Sequence, residues 1–570
     1  MRNNNYSNGK IPRVIACLFN TFDFNNLRSD ILGGLTAAVV SLPIALAFGV
    51  ASGAGPEAGL YGAILVGFFA AMFGGTPALI SEPTGPMTVV MTAVLTTMMA
   101  SNPENGLAMS FTVVMIAGVF QILLGILRLG KYITLMPYSV ISGFMSGIGI
   151  ILIILQIAPF MGQAPPPGGV TEILFQFPDF FQNIKWQETL LGVLTLGILF
   201  FTPKAWSRFV PPQLIALILG TLIALIVFAD ADIRKIGEVS LGLPRLYWPT
   251  FTNNQLIAMI LNGMVLGTLG CIDSLLTSVI ADSLTRQEHK SDRELVGQGI
   301  GNLFSGLFGG LPGAGATMGT IVNIQSGARS ALSGVVRALA LLVIVLGAGP
   351  LTQSIPLAVL AGIVLKVGVN ILDWSFVKRA HKFSGHAALI MYGVMFLTVF
   401  FDLIVAVGLG VFIANILTIE RLSVLQTKNI KAISDADNDV LLTDEEKQLL
   451  DSASGRVLLV YLSGPMIFGV SKAIARQHNT IQQYQSVVLD LSDVPLIDTT
   501  ISLTIENTIR DAVNAQRHVF VVKPRAQVKM SLERLGVFEL IPGTQLCETR
   551  AEALRKAIKE LENHHRQETA

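Results

Sequence analysis

An acid and a hydroxyl four residues apart, Asp273 and Thr277, lie well inside the apolar stretch LIAMILNGMVLGTLGCIDSLLTSVIADSL at residues 256–284. On a helix that spacing stacks the two oxygen-bearing side chains one turn apart on a single face. Together they offer hard oxygen ligands to a small cation. An ionised group near the centre of a membrane-crossing helix costs at least ~2.5 kcal/mol unless something pairs with it. The alternative is a protonated Asp273 bonded to a neighbouring backbone carbonyl. A second chemistry is carried by two Pro- and Gly-rich breaks, SEPTGPMT at 81–88 and GGLPGAGATMGT at 309–320. Each opens an apolar run with small and hydroxyl residues, and the free N–H groups and positive dipole end of such a half-helix attract an anion. Read otherwise, the breaks are Pro-kinked helices with glycine used for tight packing.

Long apolar elements must position these residues. The chain has 570 residues, is 52% hydrophobic and has a mean hydropathy of +0.62, which places it among membrane proteins. Charge is unevenly spread, with 37 of the 77 charged residues after residue 420. The expected domains are a cytoplasmic N-terminal segment (1–30), a transmembrane transport domain (31–420), a linker (421–454) and a soluble C-terminal domain (455–570). Fourteen apolar spans are expected near 31–50, 58–74, 84–100, 108–127, 136–160, 189–202, 212–229, 256–284, 295–309, 316–325, 332–349, 355–372, 386–400 and 402–419. Several fall short of the ~20 residues a crossing needs, which hydrocarbon tolerates only where broken backbone faces protein or a wet cavity. The two breaks precede the third and tenth spans, corresponding positions if the chain is two seven-span halves. Broken helices so placed mark a transporter's central site.

Basic residues set the orientation. Loops after spans four, six, eight, ten and twelve hold twelve of them: Arg128, Lys131, Lys204, Arg208, Arg286, Lys290, Arg293, Arg329, Arg337, Lys378, Arg379 and Lys382. Loops after odd-numbered spans hold four, Lys185, Arg234, Lys235 and Arg245. Positive loops stay inside, so both termini are expected in the cytoplasm. Net charge +1 without a basic block points away from nucleic acid. Cys17, Cys271 and Cys547 are too scattered for a disulfide framework or zinc site. No cleavage-site pattern follows the first apolar run, so no removed signal peptide is expected. Neither a glycine-rich nucleotide loop nor a metal-type His cluster is present; the chain reads as no enzyme, driven by an ion gradient rather than by ATP.

The stretches LISEPTGPMTVVMTA, GCIDSLLTSVIADSLTR and GQGIGNLFSGLFGGLPGAGATMGTIVNIQSG resemble the sulfate permease family of anion transporters, and within it the cyanobacterial sodium-dependent bicarbonate transporters. The likeness runs over nearly the whole chain. It implies a polytopic α-helical membrane protein with fourteen transmembrane spans as a seven-plus-seven inverted repeat, split into core and gate domains. It also implies a homodimer of the plasma (inner) membrane and an elevator-like movement of the core. By the same resemblance sodium is held by Asp273 and Thr277 with Gly315, Ala316 and Thr317, and bicarbonate lies near Thr84, Ala316 and Thr317. No resident cofactor is implied, sodium being a co-transported ion. Many family members carry an arginine just inside the tenth half-helix, where this chain has Gly319. Sodium at Asp273 would then replace the missing charge, since two unit charges ~5 Å apart at an effective dielectric near 20 attract by about 3 kcal/mol. Glu82, an acid beside an anion site, is expected to pair or hydrogen-bond at the rear of the break.

Other intramembrane polar groups have simpler readings. Lys366 is expected to snorkel or pair with Asp373, Asp282 and Arg286 to form an i, i+4 pair, and Asp402 to sit in a turn. Phe48 either helps line the site from the first span or, more simply, packs in the core, and Gln121 and Gln156 are expected in interhelical hydrogen bonds. After Leu417 the pattern changes to short strands alternating with amphipathic helices, an α/β layer. This tail resembles the STAS domain found behind sulfate permeases, expected in the cytoplasm with a role in dimerisation and regulation. Its Asp498-Thr499-Thr500 offers either a phosphorylatable hydroxyl or a helix N-cap. The function expected is sodium-dependent bicarbonate symport. Sulfate or dicarboxylate transport is the nearer alternative, and an anion sensor signalling through the tail the further one.

Overall fold

The computed structural model describes residues 20, 22, 26–133, 137–166, 169–203, 210–237, 244–252, 254–379, 382, 385–401, 403–427, 430–434, 442–467, 471, 474 and 483–568. Each of the fourteen apolar runs is a helix: α1 Leu27–Ser52, α2 Pro56–Phe73, α3 Gly85–Ser101, α4 Gly106–Ile126, α5 Tyr138–Leu155, α6 Trp186–Phe201, α7 Pro212–Ile226, α8 Leu256–Thr285, α9 Ser291–Leu307, α10 Thr317–Gln325, α11 Leu332–Thr352, α12 Leu357–Ile371, α13 Gly385–Phe400 and α14 Leu403–Thr427. Five of them, α1, α2, α4, α5 and α8, are long and apolar enough to cross a membrane on length and composition alone. Most of the others are apolar but shorter, and α10 has only 9 residues.

Packing sorts these helices into two groups. Helices α1–α4 pack chiefly with α8–α11, whereas α5–α7 pack with α12 and α13. The first half of the chain thus gives four helices to one group and three to the other, and the second half follows the same order. Where α4 crosses α9, a Cβ added to Gly118 or to Gly299 would lie 2.5 Å from the other's carbonyl oxygen. Bare glycines let the two backbones touch, the contact that holds helices together where lipid removes the hydrophobic drive.

The two breaks meet. A two-residue strand β1 (Ser81–Glu82) precedes α3, another, β2 (Ala314–Gly315), precedes α10, and they pair antiparallel with Ser81 opposite Gly315 and Glu82 opposite Ala314. Neighbouring backbone is satisfied by designated partners. Ala316 N–H donates to Ile80 O at 2.7 Å, Thr320 Oγ1 accepts from Ile80 N at 3.0 Å, and Asn302 bonds both N and O of Gly313 at 2.8 and 2.9 Å. Broken backbone survives away from water because it is paired in this way.

Several expectations change. Arg337 is not a loop residue: it lies in α11, fully buried, with its NH2 2.5 Å from Glu82 Oε2. Without Arg337 the sequence still has eleven basic residues around the connections after even-numbered spans against four after odd-numbered ones. Glu82 is paired at the rear of its break, as expected. Asp282 accepts from His289 Nδ1 at 2.6 Å rather than pairing with Arg286, which turns into a left-handed conformation (φ 57°) to end α8. Lys366 sits 3.7 Å above the Phe200 ring, while Asp373 is taken by Tyr138, Ser142 and Ser375. Burial of the Lys366 stem against an aromatic face offsets the ammonium's poor solvation. Gln121 does bridge helices, donating to Gly267 O and accepting from Asn302. Asp402 lies outside the described residues.

A second compact unit starts at Phe412. Its five-stranded sheet runs β3 (Ile430–Ile433), β4 (Val457–Ser463), β5 (Ser486–Asp493), β6 (His518–Val522), β7 (Leu546–Cys547), with β3 antiparallel and the rest parallel. The stretch expected to be linker therefore supplies an edge strand, and also helix α15 (Asp444–Ser452), begun by a Thr443/Glu446 capping box. Helix α16 (Thr499–Asn514) buries Ile501, Ile505 and Ile509 at i, i+4 spacing in the core on one face. Leu450 of α15 and Leu554, Ala557 and Leu561 of α17 (Arg550–Glu568) cover the other. Cover on both faces explains the unbroken apolar runs in β4 and β5. Asp498 caps α16, accepting from Ile501 N at 2.8 Å, and leaves Thr499 and Thr500 exposed.

One charge in this sheet is fully buried. Asp490 in β5 accepts from Arg550 Nε at 2.7 Å. Burial works against the Arg550 charge, but the hydrogen bond and charge of Asp490, with Glu446 behind, outweigh it and raise its pKa. Arg550→Met should therefore strand the Asp490 carboxylate and destabilise this unit by about 3 kcal/mol or more. Hydrogen exchange of the β4, β5 and β6 amides in the full chain will show the loss as faster exchange, with the α4 and α9 amides unchanged.

Candidate functional site

A cavity of about 280 Å³ opens where the two breaks cross. One wall is built by the first packing group: Ile44 and Phe48 of α1, the turn Glu82–Pro86, Asp273 of α8 and the segment Gly315–Met318. Met145 of α5, Gln213 of α7, and Val367, Asn370 and Ile371 of α12 form the facing wall. Phe48 does both things open to it, lining the cavity while remaining buried in the packing of α1.

Thr84 and Ala316 are the N-cap residues of α3 and α10, and neither helix has a side-chain cap. First-turn N–H groups have no intrahelical partner, and each dipole end carries roughly +0.5 charge. Two such ends thus meet in one apolar chamber. Oδ2 of Asp273 and Oγ1 of Thr84 are buried and neither makes a hydrogen bond of ordinary geometry among the described residues. A buried acid and hydroxyl with unused capacity, beside uncapped helix ends, are groups arranged for a ligand.

Thr277 stands one turn further along α8 and does not itself line the cavity. Its hydroxyl donates to Gly315 O at 2.8 Å and lies 3.0 Å from Thr317 Oγ1. Ser274 Oγ accepts from Gly315 N at 3.0 Å. Helix α8 thus holds β2 through both the N–H and the C=O of one residue, Gly315. A Cβ on Gly315 would meet Ser274 Cα at 3.0 Å and Thr277 Cβ at 3.1 Å, so a side chain there would crowd β2 against the helix by a few tenths of an ångström.

All six residues singled out in the sequence, Thr84, Asp273, Thr277, Gly315, Ala316 and Thr317, thus converge on one place, five on the cavity wall and Thr277 directly behind it. A single carboxylate among hydroxyls and carbonyls suits a hard, weakly held cation. The described residues contain no cluster of three His, Cys, Asp or Glu that would hold a transition metal. Ser274, Gln213 and Asn370 were not singled out. Asn370 was the most detectable of them, an amide in an otherwise apolar helix.

Residues 27–394 match the sulfate permease family and residues 451–553 the STAS domain. The bicarbonate transporter BicA of Synechocystis sp. is 60% identical over 96% of this chain and 98% of its own length. The putative sulfate transporter YvdB of Bacillus subtilis is 29% identical over 92% and 96%. Among solved structures, the transmembrane domain of a cyanobacterium bicarbonate transporter BicA is 63% identical and superposes with a TM-score of 0.65, covering 68% of this chain and 99% of that one. SLC26A9 shares the fold over 98% of this chain and 95% of its own, with a TM-score of 0.82 at 18% identity.

The grip of α8 on β2 has a direct test. Thr277→Val keeps the shape but leaves the Gly315 carbonyl and the Thr317 hydroxyl without that partner, which should lower stability by about 1–3 kcal/mol. Thermal unfolding of the detergent-solubilised chain measures it, with Thr268→Val on the exposed face of α8 as the neutral reference.

Proposed function

The chain belongs to the sulfate permease family, and on that premise we propose that it is a sodium-dependent bicarbonate symporter of the plasma membrane. It is a multi-pass membrane transporter and not an enzyme. The observation that carries the proposal is Asp273, a buried acid beside the Thr84 hydroxyl that lines one cavity with two uncapped helix N-termini. The bicarbonate relatives at 60% identity favour this substrate over sulfate, which is named for relatives at 29%.

The cycle follows from charge. Glu82 is neutralised by Arg337, so the walls hold one uncompensated acid, Asp273, against two partial positive ends. Bicarbonate alone adds a second negative charge to a site already balanced. Sodium against Asp273 Oδ2, with the hydroxyls of Thr277 and Thr317 and the carbonyls of Gly315 and Ala316 within the same segment, restores a positive surplus. The anion then sits between Thr84 and the N-terminus of α10. At ~5 Å and an effective dielectric near 20 the two ions attract by about 3 kcal/mol, roughly a hundredfold in affinity. Coupling is reciprocal, so bicarbonate tightens sodium by the same factor.

Movement of the first helix group past the second, an elevator step, would carry the loaded cavity across. The C-terminal STAS domain is proposed to join two copies as a homodimer, with both termini in the cytoplasm. Asp273→Asn keeps the size of the side chain and removes its charge. In proteoliposomes the unaltered chain should take up radiolabelled bicarbonate under a sodium gradient and not under potassium, and Asp273→Asn should abolish the sodium response. Sodium-driven uptake persisting unchanged in that variant would refute the assignment.

A further inference from the structure

We propose that Arg337 is a latent anion-attracting cation and that Glu82 masks it, so that the pair sets how strictly anion binding depends on sodium. The inference rests on the symport reading and assigns its charge balance to two residues outside the sodium and bicarbonate sites.

The guanidinium is anchored independently of Glu82. Nε donates to Ser41 Oγ at 3.0 Å, and NH1 donates to Ser81 O at 2.9 Å and Ala63 O at 3.1 Å. These three acceptors come from α1, β1 and α2, and all are neutral. Only NH2 turns to Glu82 Oε2, at 2.5 Å. A variant that removes the Glu82 charge should therefore leave the cation where it is.

Glu82 stands between that cation and the site. Glu82 is among the residues that line the cavity, and its second oxygen, Oε1, lies 3.4 Å from where a Cβ on Gly319 would be, in the first turn of α10. The formal charges facing the cavity or directly behind it are Asp273, Glu82 and Arg337, which sum to one negative. Sodium brings that sum to zero. Neutralising Glu82 brings it to zero without sodium, so Glu82→Gln reproduces electrostatically the sodium-loaded state. Removing both members returns the sum to one negative. A buried ion pair adds little stability over well-packed apolar groups, so holding the fold together does not by itself account for this one.

The experiment uses the full chain and two readouts: the ratio of bicarbonate uptake in sodium to that in choline, and thermal stabilisation of purified protein by choline bicarbonate. Glu82→Gln should bring the uptake ratio towards one. It should also lower the choline bicarbonate concentration needed for half-maximal stabilisation by about tenfold or more, the scale of one unit charge acting across a side-chain length. Glu82→Gln with Arg337→Gln should restore the sodium requirement. Gly319→Lys, which adds a cation beside the intact pair, should lower the ratio as Glu82→Gln does and covers the case in which the latter does not fold. An unchanged ratio in the folded single variants, or a double variant that stays sodium-independent, overturns the proposal. If the unaltered chain itself shows a ratio of one, the symport reading fails instead.

Discussion

Two residues of antiparallel pairing, Ser81 with Gly315 and Glu82 with Ala314, are the constraint on which the rest of the membrane unit depends. Interrupting a helix inside hydrocarbon strands N–H and C=O groups where no water can reach them. Each break satisfies the other's groups, with Asn302, Thr320 and Ser274 supplying the remainder. The pairing also dictates direction. Two half-helices that start from opposite strands of one ribbon must aim their N-termini into the same space, so the place where an anion is attracted follows from backbone hydrogen bonding before any ligand is considered. Tight packing completes the constraint, because Gly315 must lie against α8 for the ribbon to form beside Asp273.

Charge is then added to this frame sparingly. A single unpaired acid would make the cavity hostile to an anion, and a single unpaired cation would hold an anion without help. With Asp273 uncompensated and Glu82 facing Arg337, the formal side-chain charges at the cavity sum to one negative, which the two partial positive helix ends only just offset. Sodium can tip that unit. At ~5 Å and an effective dielectric near 20 a unit charge is worth about 3 kcal/mol, enough to make one solute's binding conditional on another's.

The helices were legible in the sequence because hydropathy is a sum over many residues. All fourteen runs became helices, and the largest differences were at their ends. Convergence of Asp273 with both breaks was legible through matched position in two halves and through resemblance. Pairing partners were not. Arg337 reads as a loop base because it follows Arg329 closely and begins a helix, and only the fold shows that its guanidinium reaches back to β1. For Lys366 the sequence offers Asp373 seven residues away, whereas the fold offers the Phe200 ring from another helix. Asp282 similarly has Arg286 at helical spacing, but α8 ends just there and its acid turns to His289. Lys366 thus exchanges a local partner for a distant one, Asp282 one neighbour for another, and Arg337 a loop for a partner 255 residues away. In the tail, the edge strand Ile430–Ile433 was hidden by its charged surroundings.

The walls of the cavity differ in kind, and this bears on how it could move. Every charged or hydroxyl-bearing residue on the lining, Glu82, Thr84, Asp273 and Thr317, belongs to the helix group of α1–α4 and α8–α11. The facing wall offers Met145, Val367 and Ile371 with two amides, Gln213 and Asn370. Ions held by the first wall would therefore owe almost nothing to the second. A surface that makes few directional bonds can be slid past without breaking them, whereas an ion pair bridging the two walls would lock them. Apolar contact costs the same wherever it is remade along an equally apolar face. The segregation of polar groups to one wall is thus what an elevator step requires of a sequence: the group that binds the ions must hold all the groups that bind them, and its partner must hold none.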